Sequence, residues 1–211
     1  MRVQTLGCFG GEALGCQLTC LLVDGRLLLD AGSVTASLSL DEQAAIDYIL
    51  VTHAHISHVV GLAYLADNLC GARSRPLEIW SIPPVLRQLK THLINGILWP
   101  DFSVIPSPLH PTLSFHELVE GRPHQIGQHE VTAVAVHHTV EAVGYVISDG
   151  TSSLLYQGDS GPTTELWRLA NRTANLEAVI VEASLPNLFS DLAVRCGHLT
   201  PELLRVELSQ L

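Results

Sequence analysis

Thr52-His-Ala-His-Ile-Ser-His58 decides how this chain is read, because it sets three imidazoles just past the apolar run Tyr48-Ile-Leu-Val-Thr52. Such density is hard to explain by packing. In an extended turn His53 and His55 point the same way, while His58 approaches from a following helix. Imidazole nitrogens suit zinc, iron or manganese. A metal site is the expectation, with an ordinary histidine cluster as the alternative.

Working outward, three later segments supply the polar groups that a metal centre would need. They are His137-His138-Thr139, Gly158-Asp-Ser-Gly161 and Gly197-His-Leu-Thr200, the first two closing apolar runs and the third preceding a helix. Loops at such points collect ligands while a sheet fixes their geometry. Taken singly, each also reads as a surface histidine or a turn aspartate.

The surrounding pattern is mixed. Between Arg2 and Leu29 two β-rich runs flank a glycine-rich turn at Gly7–Gly15, and Leu27-Leu-Leu-Asp-Ala-Gly32 is a buried strand ending in a turn. Helices are expected at Gly61–Asp67, at Pro84 to about Asn95 (Val85, Leu86, Leu89 and Leu93 recur at helical spacing), at Thr163–Ala170 and at Thr200–Ser209. Strands are expected at Pro76–Ile82, Val131–Val136, Ala142–Ser148, Ser153–Tyr156 and Ala178–Glu182, and Pro100–Pro111 should be irregular. No repeat or linker divides the sequence, so residues 1–211 are expected to form one layered α/β domain.

Composition narrows the function. The 211 residues are 47% hydrophobic with a net charge of −10, ordinary for a globular protein. That charge would repel a polynucleotide backbone, and no basic stripe compensates, so a nucleic-acid partner is not expected. A small anion is still admissible where a metal reverses the local potential. The apolar runs are too short for a membrane span and no signal peptide precedes the first strand, so a cytoplasmic location is expected. Five cysteines, Cys8, Cys16, Cys20, Cys70 and Cys196, lack zinc-ribbon or disulfide spacing and read as free thiols. Cys16 and Cys20 fall in a stretch that reads as strand and could share one face. Trp80, Trp99 and Trp167 read as core or interface aromatics, and His92, His110, His116, His124 and His129 as solvent-facing.

In this order the motifs resemble those of metallo-β-lactamase superfamily hydrolases. The carriers are Leu29-Asp-Ala-Gly32, the cluster at His53, His138, Gly158-Asp159 and Gly197-His198. The chain is more particularly similar to bacterial class II 3′,5′-cyclic-nucleotide phosphodiesterases, through Leu6-Gly-Cys-Phe-Gly-Gly11, Leu98-Trp-Pro-Asp-Phe102, His138-Thr-Val, Val143-Gly-Tyr145, Gly158-Asp-Ser-Gly-Pro-Thr163 and Glu182-Ala-Ser. The resemblance implies a four-layer αββα sandwich. It implies a divalent metal, zinc before manganese or iron, at one or two ions per chain. His53, His55 and His138 would bind one ion, and Asp159 would bridge to a second to which His58 contributes, with Asp30, Ser57 and Thr139 in supporting positions. Glu182 and His198 would be the pair that protonates the leaving oxygen, and with Asp159 they make up the expected catalytic set. The implied reaction is hydrolysis of a cyclic nucleotide to a nucleoside 5′-monophosphate by a metal-activated hydroxide, in a homodimer.

Two departures qualify this reading. Ser57 stands where the family's His-x-His-x-Asp-His motif has a metal-binding Asp, and neutral serine is a weak ligand. The chain also stops at Leu211, before the strand and ligand histidine that the family places after the last helix. A non-catalytic member that binds metal or nucleotide is therefore the alternative. Thioester or lactam hydrolysis is a third possibility, although neither reaction needs a Glu and His pair.

Overall fold

Short apolar runs, Cys20–Val23, Leu27–Leu29 and Tyr48–Leu50, build the centre of the sheet in residues 1–117. The computed structural model describes Met1–Leu211 and resolves two compact units, Met1–Glu117 and Leu118–Leu211. The first contains β1 (Val3–Gly7), β2 (Cys20–Val23), β3 (Leu27–Leu29), α1 (Val34–Ser37), α2 (Leu40–Ala44), β4 (Tyr48–Leu50), α3 (Ile56–Leu69), β5 (Leu77–Ser81), α4 (Pro83–His92), the short pair β6 (Pro106–Ser107) and β7 (His110–Pro111), and β8 (Leu113–Glu117). Its six-stranded sheet has the order β1-β2-β3-β4-β5-β8. β1, β2 and β3 pair antiparallel, whereas β3, β4, β5 and β8 run parallel. β3 and β4 are apolar throughout, as expected for strands buried at the centre of a sheet, and Leu27, Leu28, Leu29, Ile49, Leu50, Leu77 and Ile79 are fully buried.

Helix termini here follow local chemistry. Ser39 and Glu42 form a reciprocal capping box on α2, and Pro83 and Pro84 open α4, where a missing N–H costs nothing. Helix α3 begins at Ile56, five residues before the sequence-based start at Gly61, so Ser57 and His58 lie in its first turn. Gly61 explains its position: a Cβ there would stand 2.4 Å from the Gly32 oxygen and 2.6 Å from the Ala31 oxygen. Only glycine lets the helix approach the turn after β3 that closely.

In the second unit β9 (Pro123–Ile126), β10 (His129–Ala135), β11 (Val143–Ser148) and β12 (Ser153–Tyr156) form an antiparallel meander, which β13 (Leu176–Ile180) joins in parallel. Helices α5 (Glu165–Ala170), α6 (Ser190–Cys196) and α7 (Pro201–Leu208) complete it. Val146, Leu155, Leu166, Trp167 and Ala170 make a core in which α5 covers the sheet. Helix α7 is anchored by the buried Glu207 carboxylate, which accepts hydrogen bonds from Trp167 Nε1 (2.7 Å) and Thr163 N (2.8 Å). Those donors make a buried carboxylate tolerable.

Several expectations need correction. Strand β13 begins and ends two residues early, so Glu182 lies beyond it, and α6, β8 and β9 appear where sequence periodicity gave no element. Cys16 sits in the loop before β2 rather than sharing a strand with Cys20. His129 is buried, His124 half-buried, and half-buried His116 stacks on Trp80 with 4.5 Å between ring centroids; His92 and His110 are exposed as expected. Trp167 is a core residue, and Trp99 meets Tyr64 edge-on. No helix is long and apolar enough to cross a membrane.

Candidate metal centre

The ends of parallel strands are where each unit displays its polar side chains. In the first unit β3 runs into Asp30 and its neighbour β4 runs into Thr52-His53, so the two segments emerge side by side. Asp30, fully buried and in a left-handed conformation (φ 57°), is the hub. Its carboxylate accepts from Thr52 N (2.8 Å), from Thr52 Oγ1 (2.9 Å) and from His58 Nδ1 (2.7 Å). Thr52 Oγ1 also lies 3.0 Å from His53 Nδ1.

These contacts fix the tautomers. An ionised carboxylate only accepts, so His58 Nδ1 carries the proton. Thr52 has one hydroxyl hydrogen, given to Asp30, and so it accepts from His53 Nδ1–H. Both rings therefore present Nε2 as a lone pair, the carboxylate-histidine arrangement typical of metal ligands. His53 and His58 are buried, with ring centroids 4.2 Å apart, and half-buried His55 caps α3 with its ring 4.7 Å from that of His53. Ser57 is half-buried beside them.

The second unit repeats the device. Strands β10, β12 and β13 run in one direction, and beyond their ends come His138, Asp159 and Glu182. The Asp159 loop is stapled to both neighbours: Gly161 N donates to His137 O (2.7 Å), and Ser160 N donates to Glu182 Oε1 (3.2 Å). Glu182 also accepts from Ser184 N (2.9 Å) and from His198 Nδ1 (2.7 Å). His138 Nδ1 donates to the Gly197 carbonyl at 2.9 Å. Here too both rings are anchored through Nδ1. The rings of His138 and His198 meet edge to face, 5.0 Å between centroids.

Burial holds the His138 imidazole below the usual histidine value; the Gly197 carbonyl and the charges of Asp159 and Glu182 pull upward, and His198 adds to the lowering. His138, Asp159 and His198 each bring one ligand atom within 4.8 Å of the other two. Thr139 is exposed.

Imidazole Nε2 atoms and a carboxylate make a donor set that suits zinc and its neighbours, so the residues present fit a divalent metal. Sequence reasoning singled out His53, His55, His58, His138, Asp159, Glu182 and His198. It missed the roles of Thr52 and of the Gly197 carbonyl, and the only available signal was that each stands next to a candidate histidine.

The family described as Beta-lactamase superfamily domain matches residues 26–206. A 3′,5′-cyclic-nucleotide phosphodiesterase of Aliivibrio fischeri is 26% identical over 98% of this chain and 74% of its own length. A ribonuclease Z of Thermococcus onnurineus is 29% identical over 49% of this chain and 30% of its own. Among solved structures, unliganded yeast PDE1 superposes with a TM-score of 0.83 at 19% identity, covering 99% of this chain and 81% of that one. Human tRNase Z, short form, superposes with a TM-score of 0.73 at 18% identity, covering 100% of this chain and 88% of that one. The fold is thus that of metallo-β-lactamase proteins.

Proposed function

Because the chain belongs to the Beta-lactamase superfamily, we propose that it is a metal-dependent hydrolase of phosphodiesters, acting on a 3′,5′-cyclic nucleotide to release the nucleoside 5′-monophosphate. We read residues 1–211 as one such domain, cytoplasmic and homodimeric. Zinc is the preferred metal, at one or two ions. On the family resemblance His53, His55 and His138 would hold one ion and Asp159 and His58 would serve a second, while Asp30 orients His58. A divalent cation held by these side chains supplies Lewis-acid polarisation of a phosphoryl oxygen and a nucleophile active near neutral pH.

The observation that carries the reading is the Glu182 and His198 pair, 2.7 Å apart. Opening a cyclic phosphodiester forms an O–P bond from water and breaks the P–O3′ bond, leaving an alkoxide that needs a proton. With Nδ1 committed to Glu182, an imidazolium at His198 offers its Nε2 proton to that oxygen, and the carboxylate stabilises the cation before transfer. Thioester or lactam cleavage has less need of such a donor. The net charge of −10 disfavours a long polynucleotide, even though ribonucleases are among the relatives.

The test is chromatography of cyclic AMP and cyclic GMP incubated with zinc-loaded and manganese-loaded protein, beside an aryl phosphodiester, a thioester and a tRNA precursor. Formation of the 5′-monophosphate supports the reading. Hydrolysis of the thioester alone, or a folded protein that takes up neither metal, overturns it. Ser57 favours a second reading, a member that binds without turnover. A gain of activity in Ser57→Asp from an inert parent would identify that case.

A further inference from the structure

His138, Asp159 and His198 attract attention beyond the reading above, because His198 figured there as an acid and not as a ligand. Three features make it a credible ligand. Its Nδ1 is fixed by Glu182 at 2.7 Å, and metal-binding histidines commonly donate their second nitrogen to a carboxylate. His138 is fixed the same way by the Gly197 carbonyl at 2.9 Å. The three ligand atoms fall within 4.8 Å of one another, on half-buried side chains. Ligand atoms around tetrahedral zinc stand roughly 3.4 Å apart, so the donors must draw in by at most about 1.4 Å.

We propose that His138 Nε2, the Asp159 carboxylate and His198 Nε2 form a self-contained site for one zinc-class divalent cation, built wholly from residues 118–211, with His198 as a ligand. Three protein ligands and an open position match the count at which zinc binds tightly. The ion displaces the Nε2 proton of His198 to solvent and so removes the donor that the leaving oxygen needs. Metal bound in this mode inhibits. The site rests on geometry alone, and its inhibitory consequence rests on the hydrolase reading.

The experiment is zinc titration of the full chain carrying His53→Ala and His55→Ala, read by calorimetry and by long-range 1H–15N NMR of the imidazoles. One zinc per chain is expected, with the Nε2 resonances of His138 and His198 moving together, and adding Glu182→Gln should weaken binding by about 10- to 100-fold. A folded double variant that takes up no zinc overturns the site. If that variant does not fold, the wild-type chain in excess zinc decides: movement of His198 Nε2 supports the site, and an unmoved resonance refutes it. Hydrolysis of cyclic nucleotide with His198 unmoved would refute the site and leave the hydrolase reading intact. Coordination by His198 without turnover at any zinc level would do the reverse.

Discussion

Replacing Gly197 by alanine is expected to separate backbone strain from displacement of a ligand. Gly197 ends α6 at φ 65°, and a Cβ there would stand 2.7 Å from His138 Cα, 3.0 Å from His137 O and 3.1 Å from His138 Nδ1. A left-handed alanine costs roughly 1–2 kcal/mol. Contacts with backbone atoms cannot be relieved by one rotamer change, so overpacking adds about 1–3 kcal/mol. Gly150 provides the control: its φ is 86°, yet a Cβ there would meet nothing within 4 Å. Urea unfolding of metal-free protein should therefore show Gly197→Ala losing about 1–3 kcal/mol more than Gly150→Ala. Zinc affinity should fall by about tenfold or more in the first variant and hold in the second, because the His138 ring loses its carbonyl anchor. Two variants within about 0.5 kcal/mol of each other, with equal zinc affinity, would show that the α6 terminus does not position His138.

Other consequences follow from the same contacts. His198→Ala should slow cleavage of a cyclic nucleotide by about 10²- to 10⁴-fold and leave hydrolysis of an aryl phosphodiester, whose leaving group needs no proton, nearly unchanged; equal losses on both substrates would remove the acid role. Asp159→Asn deletes the one carboxylate among the proposed ligands and should reduce zinc affinity more than His55→Ala does in parallel calorimetric titrations. Cys20 is fully buried, and burial together with the Asp30 carboxylate raises its thiol far above the usual value, so a thiol reagent should label exposed Cys8 in native protein and reach Cys20 only after unfolding. Asp47 has burial pushing its carboxyl up, but hydrogen bonds and charges from Arg26 and Arg73 outweigh that and hold it below 3.8. A depressed folded-state value means that stability is present above the unfolded value and lost as pH falls through the folded one. Asp47→Asn should therefore cost about 1–2 kcal/mol at pH 7, a difference that shrinks below pH 3.8 in urea melts.

The sequence made the ligands legible and concealed their supports, for a physical reason. Three histidines within seven residues after an apolar strand are rare, whereas Thr52 and Gly197 are ordinary residues of turns. A backbone carbonyl that fixes a ring carries no side-chain signature at all. The helix after the histidines began early because Gly61 and Gly32 allow it to sit on the turn after β3, an approach that depends on backbone contacts rather than on periodicity. His129 and His116 follow the same logic: charged residues adjoin both in sequence, but strand pairing sets His129 opposite Ile126 and His116 opposite Trp80.

Ser57 gains meaning from the supports rather than from the motif alone. The one buried carboxylate near His53 and His58 is Asp30, and its oxygens already receive Thr52 and His58. With serine at position 57, the first unit presents neutral imidazoles to an ion and has no further carboxylate in the His53–His58 segment. In the second unit Glu182 is committed to His198, Ser160 and Ser184, which leaves Asp159 as the carboxylate for an ion there. The site proposed in the second unit therefore draws its neutral donors from His138 and His198 and its charge from Asp159 alone, so that carboxylate should govern how tightly the ion is held.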